Sequence, residues 1–224
     1  MTDRPTAIFD LDGTLADTIP DLVSAMNRAL NKFGVGQVIA SEVSYLTGKG
    51  GLRSMICHAC QLSGASPEKR TVDEIFAASV EDYRLNLICE TTLYPGALAS
   101  LNNFIAEGWL LGVCTNKPVR LAENLLRGLG IDDVFASITG ADSFEFKKPD
   151  PRHLIRTIEI AGGRPTRAVM VGDTQNDILT AQNANVPLIA VDFGYSESPV
   201  EDFGPDSVIS EYAALFVEAQ KLIN

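Results

Sequence analysis

Two aspartates near the N-terminus, Asp10 and Asp12, are the first residues whose type and spacing could do chemistry. They follow an apolar run containing Ile8 and Phe9 that predicts a buried strand, and Gly13 then allows a sharp turn. Open α/β sheets bind ligands at the carboxyl ends of their strands, so these carboxylates predict a functional site. At this point an ordinary strand-end turn is the alternative, because Asp and Gly are common in turns.

Three further polar motifs each come just after a predicted strand. They are Thr115-Asn116, Lys148-Pro149 and the run from Gly172 to Asp177. In a parallel sheet all of these strand ends face the same side. We therefore expect a hydroxyl, an amide, a lysine and a second acidic pair to converge on the first two aspartates.

The elements that must position these motifs alternate from residue 94 onward between strand and helix patterns, whereas residues 16–88 show only helical patterns. Such alternation implies parallel βαβ units. We predict an α/β fold, with a doubly wound, Rossmann-like parallel-sheet core (1–16 and 90–224) and an inserted all-helical cap (17–89). Later strands are expected at 109–114, 134–138, 168–171, 188–191 and 207–209. Helices are expected at 17–33, 41–46, 51–62, 67–88, 97–107, 119–129, 151–161, 175–184 and 212–223.

Composition excludes several partners. With 18 Lys and Arg against 29 Asp and Glu in 224 residues, the formal net charge is −11, which argues against binding nucleic acid. We expect no membrane association, because no apolar run is long enough to span one. A polar start after Met1 and four cysteines without disulfide-scaffold spacing indicate a cytoplasmic protein, either monomer or homodimer. An acidic chain of this kind can still bind a small anionic substrate if a metal cation makes the electrostatic potential positive at the binding site.

The ordered motifs resemble those of the haloacid dehalogenase-like phosphohydrolase superfamily. The matching segments are Phe9-Asp10-Leu11-Asp12-Gly13-Thr14-Leu15, Thr115-Asn116, Lys148-Pro149 and Val171-Gly172-Asp173-Thr174-Gln175-Asn176-Asp177. The first and last look most like phosphoglycolate phosphatases. This resemblance implies a phosphatase with a helical cap after its first motif, acting on a small phosphorylated metabolite, with 2-phosphoglycolate as the expected substrate.

The resemblance assigns roles to the acidic residues. Asp10 would be the nucleophile that forms an aspartyl-phosphate, and Asp12, which a strand would point the same way, would act as general acid and base. Mg²⁺ would be bound by the Asp10 side chain, the Asp12 backbone carbonyl and Asp173. Asp177, four residues later on the opening helical turn, is expected to orient these groups rather than to bind the metal directly.

Other motif residues would bind the substrate. Thr115 and Asn116 would hydrogen-bond phosphoryl oxygens, and Lys148 would stabilise the charge of the transition state. The adjacent Lys147 could be confused with it, but Lys148 matches the Lys-Pro-x-Pro pattern. In the cap, Arg53 beside the Gly48–Gly51 loop would meet the substrate's carboxylate, although a plain helix connection explains that loop equally well. The cap would close on hinges near residues 16–18 and 93–96.

Several alternatives stay open. A pyrophosphatase, a sugar-phosphate phosphatase or a phosphosugar mutase of the same superfamily would use the same core residues. A phosphate-binding regulatory module without turnover is the alternative outside enzymes. Cys57 and Cys60 have the CxxC spacing of zinc sites, but their segment has a helical pattern and no second pair completes four ligands, so we expect core cysteines instead.

Overall fold

The computed structural model describes residues 2–66 and 68–223. Its chain divides into two compact units, one formed by Met1–Asp17 with Thr92–Asn224 and the other by Thr18–Thr91. We call these the α/β unit and the helical unit.

The α/β unit is built on a six-stranded sheet in which every neighbouring pair is parallel, as predicted. The strand order is β5-β4-β1-β6-β7-β8, so β1 lies in the interior and the chain crosses over on either side of it. This is the doubly wound arrangement. The strands are β1 Thr6–Phe9, β4 Leu110–Cys114, β5 Ser137–Thr139, β6 Ala168–Gly172, β7 Leu188–Val191 and β8 Ser207–Ile209.

Helices cover both faces of this sheet. Successive β1 residues point to opposite faces: Ile8 joins a buried cluster with Leu154 and Ile178, whereas the Phe9 ring meets Phe104 edge-on at 6.0 Å. Burying β1 on both faces explains its uninterrupted apolar sequence. The helices of this unit are α5 Ala97–Ala106, α6 Val119–Gly128, α7 Pro151–Ile160, α8 Gln175–Ala184 and α9 Leu215–Ile223.

A two-stranded antiparallel ribbon joins the two passages of the chain at the junctions of the α/β unit. Its strands are β2 Ala16–Asp17 and β3 Thr92–Leu93. Sequence reasoning expected hinges here and missed the pairing, because a strand of two residues carries no readable periodicity. The ribbon fixes both junctions side by side within the α/β unit.

The helical unit contains α1 Ile19–Lys32, α2 Ala40–Val43, α3 Gly51–Leu62 and α4 Lys69–Leu85. One expectation was wrong in detail: the helix predicted at 41–46 is α2 followed by a 3₁₀ helix at Ser44–Lys49. Pro67, where the last predicted helix of this unit began, lies outside the described residues.

One carboxylate ties together the two ends of the helical unit. Asp21, in the first turn of α1, accepts hydrogen bonds from the backbone N–H groups of Cys89, Glu90 and Thr91, at 2.9 to 3.1 Å. The Thr91 hydroxyl donates to Asp21 as well. These bonds hold the pKa of Asp21 below its ordinary value, although its burial alone would raise it.

Three smaller features complete the description of the fold. Within the described residues, no helix combines the length and apolar character needed to cross a membrane. The segment with the CxxC spacing is helical, with Cys60 buried and Cys57 exposed, and all four cysteines are free thiols. The strand predicted at 134–138 begins later, at Ser137, because Asp132–Val134 forms a 3₁₀ turn.

Candidate active site

The predicted site residues of the α/β unit gather at the carboxyl edge of the sheet. Asp10 follows β1 directly, and its N–H donates to the carbonyl of Val171 in neighbouring β6 at 2.9 Å. Asp173 follows β6, and Thr115 follows β4, where its N–H donates to the Thr139 carbonyl at 3.0 Å. Each side chain is therefore positioned by the end of a hydrogen-bonded strand rather than by a free loop.

Lys148 lies between two of the predicted carboxylates. Its Nζ is 2.6 Å from Asp177 Oδ1 and 2.9 Å from Asp10 Oδ1. The contact with Asp177 is a hydrogen bond, whereas Asp10 Oδ1 is buried without a hydrogen-bond partner. Lys148 is buried and Lys147 is exposed, so the structure brings Lys148, the lysine chosen from the proline pattern, to the aspartates.

Asp173 is completely buried, and its two oxygens accept from different parts of the unit. Oδ1 accepts from the Thr14 hydroxyl at 2.7 Å, and Oδ2 accepts from the backbone N–H of Tyr195 at 2.8 Å. Gly13, at a φ of +83°, and Gly194 approach this carboxylate so closely that an added Cβ would overlap its atoms. Both positions therefore require glycine, because any larger residue would displace Asp173.

Asp177 is also completely buried, and both of its carboxylate oxygens accept hydrogen bonds. Its Oδ1 accepts from Lys148, and its Oδ2 accepts from the backbone N–H and the hydroxyl of Thr174, at 3.0 and 2.6 Å. The bonds to Thr174 form a capping box at the start of α8. Oxygen atoms of Asp10, Asp173 and Asp177 lie within 4.8 Å of one another. Asp177 accepts three hydrogen bonds, one of them from the Lys148 ammonium, whereas Asp173 accepts one neutral donor on each oxygen. This favours an orienting role for Asp177.

The acidic cluster carries negative charge that a cation would stabilise. Burial raises the pKa of Asp10 to about 7 against the opposing effect of Lys148, and burial together with Asp177 and Asp10 raises the pKa of Asp173 well above its usual range. Asp10 and Asp177 in turn hold the pKa of Lys148 above its ordinary value. Hard oxygen donors with one buried oxygen lacking a hydrogen bond fit Mg²⁺.

Asp12 does not lie in a strand, contrary to the prediction that β geometry would point it the same way as Asp10. β1 ends at Phe9, and Asp12 forms only an isolated bridge with Ala16. A residue that was not predicted holds its side chain instead: Lys117 Nζ donates to Asp12 Oδ1 at 2.7 Å. The chain turns after Asp10, where the N–H groups of Leu15 and Ala16 both donate to the Leu11 carbonyl, so the strand alternation ends before Asp12.

Thr115 and Asn116 lie on the loop that follows β4. The Thr115 hydroxyl accepts from the Lys117 N–H at 3.1 Å, and a hydroxyl that accepts retains its hydrogen for a further acceptor. Asn116 Nδ2 donates to the Lys148 carbonyl at 3.0 Å, which ties the two motif loops together, and its buried Oδ1 has no hydrogen-bond partner. These loops thus hold each other in place.

Arg53 belongs to the helical unit and is exposed on α3. Its Nη1 is 2.6 Å from Asp73 Oδ1, and its guanidinium lies 4.9 Å from the centre of the Phe76 ring. Both partners are on α4. The arginine is therefore held by a charge and an aromatic face of its own unit.

Sequence reasoning assigned no role to Lys117, Thr14 or Tyr195. Signals for all three existed: Lys117 is two residues beyond Thr115, Thr14 ends the Asp-Gly-Thr run, and Tyr195 follows β7 at the same sheet edge. The imidazole of His153 is completely buried against Phe144, and neither of its nitrogens has a hydrogen-bond partner.

The fold and the site together indicate the family of hydrolases to which the chain belongs. A family model described as haloacid dehalogenase-like hydrolase matches residues 7–191. That span starts in β1, includes every motif of the acidic cluster and ends with β7. The chain belongs to the haloacid dehalogenase-like hydrolases.

Relatives within this family narrow the class. The protein named phosphoglycolate phosphatase from Agrobacterium fabrum is 44% identical over 218 residues, covering 96% of this chain and 93% of its own. Its namesake from Mesorhizobium japonicum is 42% identical over 221 residues, covering 98% and 97%. The chain is an enzyme of the same class, a phosphoric monoester hydrolase.

Two solved structures are similar as well. A predicted phosphoglycolate phosphatase from Haemophilus somnus superposes with a TM-score of 0.90 at 29% identity, over 98% of this chain and 100% of that one. CbbY from Rhodobacter sphaeroides, in complex with xylulose-(1,5)bisphosphate, superposes with a TM-score of 0.77 at 26% identity, over 95% and 96%. Both similarities extend over nearly the whole chain.

Proposed function

We propose that this enzyme is a Mg²⁺-dependent phosphatase that hydrolyses 2-phosphoglycolate to glycolate and phosphate through an aspartyl-phosphate at Asp10. The observation that carries the proposal is the state of the Asp10 carboxylate. It is buried, its Oδ1 has no hydrogen bond, and the Lys148 ammonium lies 2.9 Å from that oxygen. A carboxylate presented in this way can attack phosphorus, and the lysine can stabilise charge on the transferring oxygens.

The reaction proceeds in two displacements. An Asp10 oxygen attacks phosphorus and the bond to the glycolate oxygen breaks, while Asp12 gives its proton to that leaving oxygen. Water then attacks the phosphorus of the aspartyl-phosphate, Asp12 takes the proton of that water, and Asp10 is released as carboxylate. Thr115 and Asn116 hydrogen-bond the phosphoryl oxygens in both displacements.

Asp10, Asp173 and the Asp12 backbone carbonyl would hold the metal. When bound, Mg²⁺ supplies positive charge that offsets repulsion between the carboxylates and the phosphate. Thr14 and the Tyr195 N–H keep Asp173 ready to bind, since they fix both of its oxygens. Asp177 orients Lys148 and takes no direct part in binding the metal.

The choice of substrate is supported by the names of the relatives, which are 44% and 42% identical over nearly the full length. Arg53 would receive the substrate's carboxylate, exchanging part of its pairing with Asp73 for the new anion. We also propose that the protein works in the cytoplasm on this small metabolite, in keeping with its four free cysteines.

A sugar phosphate is the second candidate substrate. It is favoured by the structural similarity to CbbY, which was solved with a sugar bisphosphate. The core residues would perform the same chemistry on either substrate, so only the leaving group differs.

A substrate panel tests the proposal. Purified protein is assayed with Mg²⁺ and with EDTA against 2-phosphoglycolate, pentose and hexose phosphates, pyrophosphate and p-nitrophenyl phosphate. We expect phosphate release only with the metal, and the highest kcat/KM for 2-phosphoglycolate. Preference for a sugar phosphate would replace the substrate assignment alone, whereas no release from any ester would overturn the proposal and favour a binding module.

A further inference from the structure

We propose that Lys117 is the positioning residue for Asp12, holding the side chain of the acid that protonates the leaving group. The inference rests on the proposed function of Asp12. It starts from one contact that sequence motifs did not predict: Lys117 Nζ donates to Asp12 Oδ1 at 2.7 Å. Lys148 lies against Asp10 and Asp177, so Asp10 and Asp12 are contacted by different lysines.

The backbone around Lys117 is fixed on both sides. Its N–H donates to the Thr115 hydroxyl at 3.1 Å, and its carbonyl accepts from the Ala141 N–H at 3.0 Å. Gly140 lies so close that an added Cβ would overlap the Lys117 carbonyl. The ammonium is thus presented from a fixed loop, and the same residue also orients the hydroxyl of Thr115.

Burial is unequal within the pair. The Lys117 side chain is 6% exposed and that of Asp12 is 22% exposed. Withdrawing an ammonium from water is costly, and a buried ion pair seldom adds net stability. The cost is explained if the lysine controls the direction of the Asp12 carboxyl group.

Asp12 needs such control because no strand supplies it. β1 ends at Phe9, so the side chain of Asp12 is not fixed by alternation along a strand. With Oδ1 held by Lys117, Oδ2 becomes the oxygen that carries the transferable proton. As the bond from phosphorus to the leaving oxygen breaks, that oxygen takes the bonding electron pair and then the proton from Asp12, while Lys117 keeps all of its own protons.

Dependence on the leaving group tests this role. We compare Lys117→Met and Lys117→Arg with wild type, using kcat/KM for 2-phosphoglycolate, 2-hydroxyethyl phosphate and p-nitrophenyl phosphate. Both alkyl esters need protonation of the leaving oxygen, whereas nitrophenolate leaves without it. We expect Lys117→Met to lose about 10- to 100-fold on both alkyl esters and less than about 3-fold on the aryl ester. Lys117→Arg should recover part of that loss.

Two results would overturn the inference. Equal losses on all three esters, or no loss at all, would mean that Lys117 does not act through the proton donor. A loss on 2-phosphoglycolate alone would mean that it binds the substrate's carboxylate instead. Lys147→Met, an exposed neighbour of Lys148, serves as the charge-matched control and should behave as wild type. If Lys117→Met does not fold, as judged by thermal unfolding, Lys117→Gln takes its place.

Asp12→Ala in the same assay separates this inference from the proposed function. If Asp12→Ala spares the alkyl esters, the assignment of Asp12 itself fails. If Asp12→Ala shows the alkyl-selective loss and Lys117→Met does not, only the role of Lys117 fails. The double variant should lose no more than Asp12→Ala alone, because the lysine would act through a residue that is no longer there.

Discussion

The ammonium of Lys148 lies 2.9 Å from Oδ1 of Asp10, and their side chains are only 2% and 10% exposed. Little water screens this pair, so each group stabilises the charged form of the other. The same lysine donates to Asp177, which the Thr174 capping box fixes at the start of α8. The charge that acts on the proposed nucleophile is therefore positioned by a helix terminus as well as by its own loop.

Removing this lysine should affect turnover and stability together. Lys148→Met leaves Asp10 and Asp177 as buried carboxylates without their cation, a change that typically costs about 3 to 5 kcal/mol in the free energy of unfolding. We expect kcat to fall by at least about 10³-fold. Steady-state kinetics and urea unfolding measure the two effects. Lys147→Met should change neither kcat nor the free energy of unfolding. If it had the same effects as Lys148→Met, the loss could not be attributed to the position of the Lys148 charge.

The metal should show itself in stability as well as in activity. Mg²⁺ at about 100 times its dissociation constant should stabilise the wild type by about 2.7 kcal/mol. Asp173→Asn should abolish this gain, because its side chain supplies no negatively charged oxygen to the metal. Thermal unfolding with and without Mg²⁺ measures the difference. An unchanged metal response would exclude Asp173 as a ligand, and exposed Asp133→Asn provides the control.

Arg53 should affect substrate choice without affecting the chemistry. We expect Arg53→Ala to raise KM for 2-phosphoglycolate by about 10-fold, the loss of one charge-assisted contact, and to leave p-nitrophenyl phosphate unchanged. Arg70, paired with Glu74 at 3.0 Å on α4, is a matched control in the same unit. Equal effects of Arg53→Ala and Arg70→Ala on KM would mean that Arg53 does not bind the substrate's carboxylate.

Acid should destabilise the protein partly through His153. Burial lowers the pKa of this imidazole from 6.5 to about 4, so between these values the unfolded chain binds a proton that the folded chain does not. Stability is complete above pH 6.5 and falls as the pH drops toward 4, by about 3 kcal/mol in total. Urea unfolding at a series of pH values measures this loss of stability. His153→Leu should reduce the loss between pH 6.5 and pH 4, and His58→Leu should not. Parallel profiles would contradict the assignment.

How far the sequence alone predicts this molecule depends on the kind of feature. Long elements with a clear period were located within about three residues, and α3 and α8 were located at both ends. The β2 and β3 ribbon was missed because two-residue strands show no alternation. Residues at strand ends, such as Asp10 and Asp173, could be predicted because a parallel sheet aligns those ends.

Contacts made by side chains across loops could not be predicted. Nothing in the spacing of Lys117 from Asp12 shows that the two meet, since 105 positions separate them and the contact depends on how two loops turn. The burial of His153 could not be predicted either, because a polar residue at a helix start is usually exposed, and here α7 buries His153 and Leu154 while Arg152 is exposed. Tertiary packing decided both outcomes.

The central claim is that Asp10 becomes phosphorylated during turnover. Wild-type enzyme mixed with Mg²⁺ and 2-phosphoglycolate is quenched in acid during the first turnover, digested, and examined by mass spectrometry, with folded Asp10→Asn treated in parallel. We predict one phosphoryl group on the wild-type peptide that contains Asp10, and neither phosphoryl group nor turnover in Asp10→Asn. A phosphoryl group on another residue, or turnover retained by Asp10→Asn, would contradict the account.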